Sequence, residues 1–131
     1  MVSTPIFYVD RSEIRDGRLG EVKAAMEDLA EFISSNEPQL LAYGLYLNES
    51  DSSMSVVAVH ADSTSMELHM EIGGPKFRAF APLIVLQRID VYGSPNDKVM
   101  EQLRSKAADL GGGTVNVHPL EAGFFRPGSQ G

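Results

Sequence analysis

Cysteine is absent from this 131-residue chain. That excludes disulfides, thiolate metal sites and cysteine nucleophiles. Tryptophan is absent as well. No apolar run approaches the roughly 18 residues needed to cross a bilayer, so no membrane span is expected. The start, Met1-Val2-Ser3-Thr4-Pro5, has no basic segment leading into an apolar one, so no secretory signal is read there. A cytoplasmic protein is the expectation. Basic residues are few: 11 Lys and Arg stand against 18 Asp and Glu, for a net charge of −7. They are also scattered, whereas nucleic acids and acidic membrane surfaces are held by clustered cations. Neither is an expected partner.

What is present is ordinary for a globular domain: 43% hydrophobic and 22% charged residues. Residues 1–131 read as one domain. Residues 5–10 form a strand rich in aromatic and β-branched residues. Asp16-Gly17 breaks it, with Asp16 as a candidate cap. From Arg18 to Ser35, Leu19, Val22, Met26, Leu29, Ala30 and Ile33 recur at three- and four-residue steps, which predicts an amphipathic helix. Asn36-Glu37-Pro38 stops it. Residues 40–47 and 54–61 are strands joined by the polar turn 48–53, an antiparallel hairpin in its simplest form.

Asp62-Ser63-Thr64 opens a second helix, with Thr64 and Glu67 fitting a capping box. Gly73-Gly74-Pro75 predicts a break in its middle. Residues 85–92 are a fourth strand. Ser94-Pro95-Asn96-Asp97 opens a third helix with Pro95 in its first turn. Val99, Leu103, Ala107 and Leu110 form its apolar face, and Gly111-Gly112-Gly113 ends it. Residues 114–117 are a short fifth strand. Residues 127–131 read as a frayed tail.

The order βαββαβ is the ferredoxin-like split-βαβ arrangement, an α+β fold, over residues 5–92. Residues 94–118 extend it by a helix and a strand. On the second strand Leu41, Tyr43, Leu45 and Leu47 point one way, and Ala42, Gly44 and Tyr46 point the other. A sheet with two apolar faces requires cover on both. The third helix is a partial candidate for the second face, and a second copy of the chain is a better one.

With this element order, the stretch from His60 to Phe80 resembles the antibiotic biosynthesis monooxygenase family of the dimeric α/β-barrel superfamily. The matching features are the turn Asp62-Ser63, the helix carrying Met66-Glu67-Leu68-His69-Met70, and Pro75-Lys76-Phe77-Arg78-Ala79-Phe80. The resemblance covers roughly residues 5–92. It implies a homodimer with its two sheets face to face, and an apolar cleft between sheet and helices in each subunit. It further implies a hydrophobic or aromatic small-molecule ligand. Some members oxidise polyketide-like or quinol substrates with oxygen and no cofactor; others degrade haem, isomerise small molecules or have no assigned activity. The haem-degrading branch uses a tryptophan and a histidine one turn after the helix-2 phenylalanine. This chain has neither, so haem degradation is disfavoured.

The resemblance and the residue types together give an expected site. His69 and His60 are its candidate catalytic residues. Tyr8, Tyr43, Met66, Met70, Phe77 and Phe80 are the candidates for holding substrate. Histidine suits proton abstraction because it titrates near neutrality. Each histidine also has a plain structural reading: His69 as a partly buried, hydrogen-bonded residue, and His60 as a rim residue bonded near the helix cap. His118 reads as a solvated strand-end residue. Three histidines without convergent partners make no metal set. No Gly-rich strand-to-helix loop holds a phosphate, so no cofactor is expected. On the fourth strand Arg88 and Asp90 alternate in phase and read as an interfacial ion pair. The leading function is a cofactor-independent monooxygenase. A non-catalytic binding or structural dimer and a small-molecule isomerase are the alternatives.

Overall fold

The structure is a computed structural model and describes residues 4–126; the tail expected at 127–131 lies outside the described residues. Five strands and three helices follow the expected order. They are β1 (Ile6–Ile14), α1 (Leu19–Asn36), β2 (Ala42–Asn48), β3 (Ser53–His60), α2 (Ser63–Phe77), β4 (Ile84–Tyr92), α3 (Asp97–Asp109) and β5 (Thr114–His118). The sheet order is β2-β3-β1-β4-β5. The first four strands are antiparallel neighbours and β5 pairs parallel to β4. This is the ferredoxin-like sheet with one strand added at the β4 edge.

β1 runs past residue 10 because its alternation continues. Ile6, Tyr8, Asp10, Ser12 and Ile14 are buried, while Phe7, Val9, Arg11 and Glu13 are less so. Its pairing with β3 skips Asp10 and Arg11, and the Asp10 carboxylate accepts the Val56 N–H at 2.9 Å. Asp16 is not the cap of α1; the helix starts after Arg18 without a side-chain cap.

The start of α2 also differs from the capping-box expectation. Asp62 caps it by accepting the Ser65 N–H at 2.8 Å, and Glu67 instead bonds Asn96 at 2.7 Å. Helix α2 does not break at Gly73-Gly74-Pro75 but continues to Phe77. The clash that drives a pre-proline residue out of the helical region involves its Cβ as well as its backbone N–H. Gly74 has no Cβ, so the helix persists to Phe77, followed by a single 3₁₀ turn over Arg78–Phe80. Pro95 stands outside α3, whose cap is Asn96, accepting the Val99 N–H at 2.9 Å.

All three helices bury their apolar faces in one core, with Val22, Leu29, Met66, Phe80, Ile89 and Leu103 among its sealed side chains. Helix α3 packs beside α2 and touches β4 and β5 on that same face. The expectation that it covers the second face is therefore corrected. Its buried stripe, Val99, Leu103 and Ala107, continues the α2 layer. The opposite face carries the cross-strand rows Ala42–Val59–Phe7–Tyr92 and Gly44–Val57–Val9–Asp90. Apart from Asp90, these rows are apolar or aromatic. Among the described residues the cover on this face is at its end, where Phe125 stacks on Phe7 at 5.6 Å.

Candidate active site

A cavity of about 240 Å³ opens between α2, α3 and the β2 edge of the sheet, lined by Tyr43, His69, Met70, Gly73, Phe77, Gln102 and Lys106 among others. Two polar clusters meet at it.

The first cluster is built on α2. His69 lies on the buried face of that helix, and its Nδ1 stands 2.8 and 3.0 Å from the two carboxylate oxygens of Glu37. Glu37 is the residue after α1, and its side chain is sealed from solvent. Gln39 donates to the same carboxylate at 3.1 Å. A carboxylate only accepts, so the geometry places a proton on Nδ1 and directs Nε2 away from Glu37. Among the described residues Nε2 has no hydrogen-bond partner. Helix α2 can approach Glu37 this closely only because position 73 is glycine. A Cβ there would lie 2.9 Å from Glu37 Oε2 and 3.0 Å from His69 Cε1.

Tyr43 packs against His69, with ring centroids 5.4 Å apart. Burial, and after it the charges of Asp10 and Glu37, push its phenol well above the usual range. It stays protonated and is a donor. His60 stands behind His69 at 5.3 Å, fully buried, with both ring nitrogens unpartnered. Burial, then the charges of His69 and Lys106, depress it to about 3. It is a neutral ring at physiological pH and does not line the cavity.

The second cluster joins α3 to β1. Lys106 Nζ donates to the Tyr8 hydroxyl at 2.6 Å, and that hydroxyl donates to Asp10 at 2.6 Å. Lys106 is 3.5 Å from the same carboxylate oxygen. Its ammonium also lies over the Phe77 ring, 4.1 Å from the centroid.

The expected site residues thus divide. His69, Tyr43, Met70 and Phe77 line one cavity. Tyr8 reaches it only through Lys106, and Met66 and Phe80 are sealed core residues. Glu37, Asp10 and Lys106 were missed by the sequence reading. Two of them carried a signal. Asp10 falls in the buried phase of β1, and Lys106 falls on the α3 stripe between Leu103 and Leu110. Glu37 carried none, because it sits outside any periodic element. His118, expected to be solvated, bonds Asp90 at 2.9 Å and stacks on Tyr92. Asp90 also accepts two bonds from Arg88, at 2.7 and 2.8 Å, which with His118 hold its carboxyl down at about 2. Among the described residues no three His, Asp or Glu side chains converge as a metal set.

No protein-family model matches the chain, and no curated protein matches it by sequence. Solved structures do match. MupZ from Pseudomonas fluorescens superposes with a TM-score of 0.72 at 22% identity, covering 95% of this chain and 97% of that one. A match that long takes in α3 and β5. SnoaB from Streptomyces nogalater, a cofactor-independent oxygenase, gives a TM-score of 0.58 at 16% identity, covering 72% of this chain and 96% of that one. A proposed antibiotic biosynthesis monooxygenase from Caulobacter crescentus gives 0.58 at 20%, covering 69% and 89%. The chain has the ferredoxin-like α+β fold found among antibiotic biosynthesis monooxygenase-like structures, and the MupZ match extends over its third helix and fifth strand.

Proposed function

We propose that the cavity is an active site in which His69 removes a proton from a hydrophobic or aromatic small molecule. The observation that carries this reading is the Glu37–His69 pair, with Nδ1 bonded to the carboxylate at 2.8 Å and Nε2 unpartnered in the cavity wall. The carboxylate fixes the tautomer and stabilises the imidazolium that forms when Nε2 takes the proton. Tyr43, Met70 and Phe77 hold the ring of the substrate. His60 is a positioning residue, acting through the face of His69.

The reaction we propose is a cofactor-independent monooxygenation of a quinol- or anthrone-like substrate. The fold shared with SnoaB supports it. Loss of the proton gives an electron-rich anion. Its carbon adds molecular oxygen, and the hydroperoxide so formed loses water to leave a carbonyl. One oxygen atom stays in the product and the other leaves as water. The isomerase reading uses the same base and returns the proton at another carbon. Lys106, bonded to Tyr8, favours it as a proton donor in the same cavity. We further propose a homodimer, in which a second copy covers the open apolar sheet face.

Oxygen uptake with a panel of quinols and anthrones tests this. Uptake that persists after exhaustive chelation, and that falls at least about a hundredfold in His69→Ala, is expected. Substrate isomerisation or solvent-proton exchange without oxygen uptake selects the isomerase. Neither activity on any ring that binds the cavity rejects catalysis and leaves a binding dimer.

A further inference from the structure

We infer that Lys106 is an anion-holding residue of the cavity, so that the ligand presents an oxyanion (a phenolate, enolate or carboxylate oxygen) to helix α3. The inference names the ligand class of the proposed active site and rests on that site being the binding cavity, but not on turnover. Lys106 reaches the cavity from α3, outside the βαββαβ core. Its ammonium is incompletely matched by the protein. The nearest acceptor is a neutral phenol, Tyr8, at 2.6 Å. The Asp10 carboxylate is farther, at 3.5 Å, and both its oxygens are already engaged, by the Val56 N–H and by the Tyr8 hydroxyl.

An ammonium has three donors. Two of them point at Tyr8 and Asp10, which leaves the third without a protein acceptor among the described residues. Glu71, Arg78 and Asp109 also line the cavity, but Lys106 is the cation with a spare donor over the Phe77 ring, and at that point it favours an oxygen carrying charge over a neutral one. Burial lowers the Lys106 ammonium below its ordinary range while Asp10 opposes that shift. An arriving anion would act in the same sense as Asp10 and keep the group charged. Tyr43 adds a neutral hydroxyl donor on the facing side.

The test uses 4-nitrophenol at a pH above its own pKa, where it is ionised without help from any base, and nitrobenzene as its uncharged counterpart. Calorimetry on the intact chain is expected to show the anion bound at least about tenfold more tightly than the neutral ring. Lys106→Met should abolish that preference, and Lys106→Arg should retain most of it. The paired variant Asp10→Asn/Lys106→Met removes both charges, so that no unpaired carboxylate is left in the core if the single variant unfolds. It too should lose the preference. His69→Ala should keep it, which separates this inference from the role of the base. Equal binding of the two probes, or an anion preference that survives in a folded Lys106→Met or paired variant, overturns the assignment.

Discussion

Glycine at position 73 is a steric condition of the Glu37–His69 pair. The Cβ of an alanine would fall 2.9 Å from Ile33 Cδ1 as well as from Glu37 Oε2. Both polar partners are buried and bonded, so neither can yield without losing the other. Gly73→Ala is therefore expected to lower stability by about 1–3 kcal/mol and to reduce turnover at least tenfold; wild-type values for both in thermal melts and rate assays would show that the pair tolerates displacement. His60 gives a second prediction. Its folded-state value of about 3 lies below the ordinary histidine value of 6.5. Between those limits the unfolded chain binds the extra proton, so stability falls as the pH drops from about 6.5 towards 3, by at most about 1.4 kcal/mol per unit. His60→Leu removes that slope. It also removes two unpartnered nitrogens, and should raise stability at neutral pH by about 1–3 kcal/mol. A variant less stable than wild type at pH 7 would mean that the ring has a buried partner.

At the scale of elements, the order and type of all eight were legible, because their periodicities are strong. The misreadings came where one local preference competes with another. Thr64 and Asp62 both suit a cap, and only the geometry chooses Asp62. Gly-Gly-Pro is a helix breaker in general, yet Gly74 removes the Cβ part of the clash that Pro75 would impose. Pro75 still removes one backbone donor from α2, and it is exposed. Pro75→Ala should therefore stabilise the chain, by about 1–3 kcal/mol. A lower melting temperature would show that the ring fixes the α2 exit in a way the hydrogen-bond argument omits. The site was half legible for a related reason. His69 sits in a recognisable motif, but Glu37 and Lys106 reach it from α1's end and from α3, and long-range convergence leaves no mark in local spacing. The role of α3 was open in the sequence, and its placement beside α2 is what brings Lys106 to the cavity.

At the scale of the whole molecule, an apolar sheet face is left open by the described residues. Its central rows, Val59–Phe7 and Val57–Val9, are flanked by Tyr46, which is 59% exposed, and Tyr92, 45% exposed. The proposed second copy would cover such a face by two-fold symmetry. Light scattering should give twice the 14.2 kDa chain mass, and Val57→Asp, which sets a charge in the middle of that face, should return the monomer. A wild-type monomer at micromolar concentration would reject the dimer while leaving the cavity intact. The central claim is about that cavity: His69, held by Glu37, takes a proton from a bound ring. Rapid mixing with a quinol or anthrone under strictly anaerobic conditions tests it most directly, because the proton step is then isolated from oxygen. The account predicts the absorbance band of the bound anion in wild type below the free ligand's pKa, a weaker band in Glu37→Gln, and none in folded His69→Ala. An anion band of full size in His69→Ala, or none in wild type with the ligand bound, would contradict it.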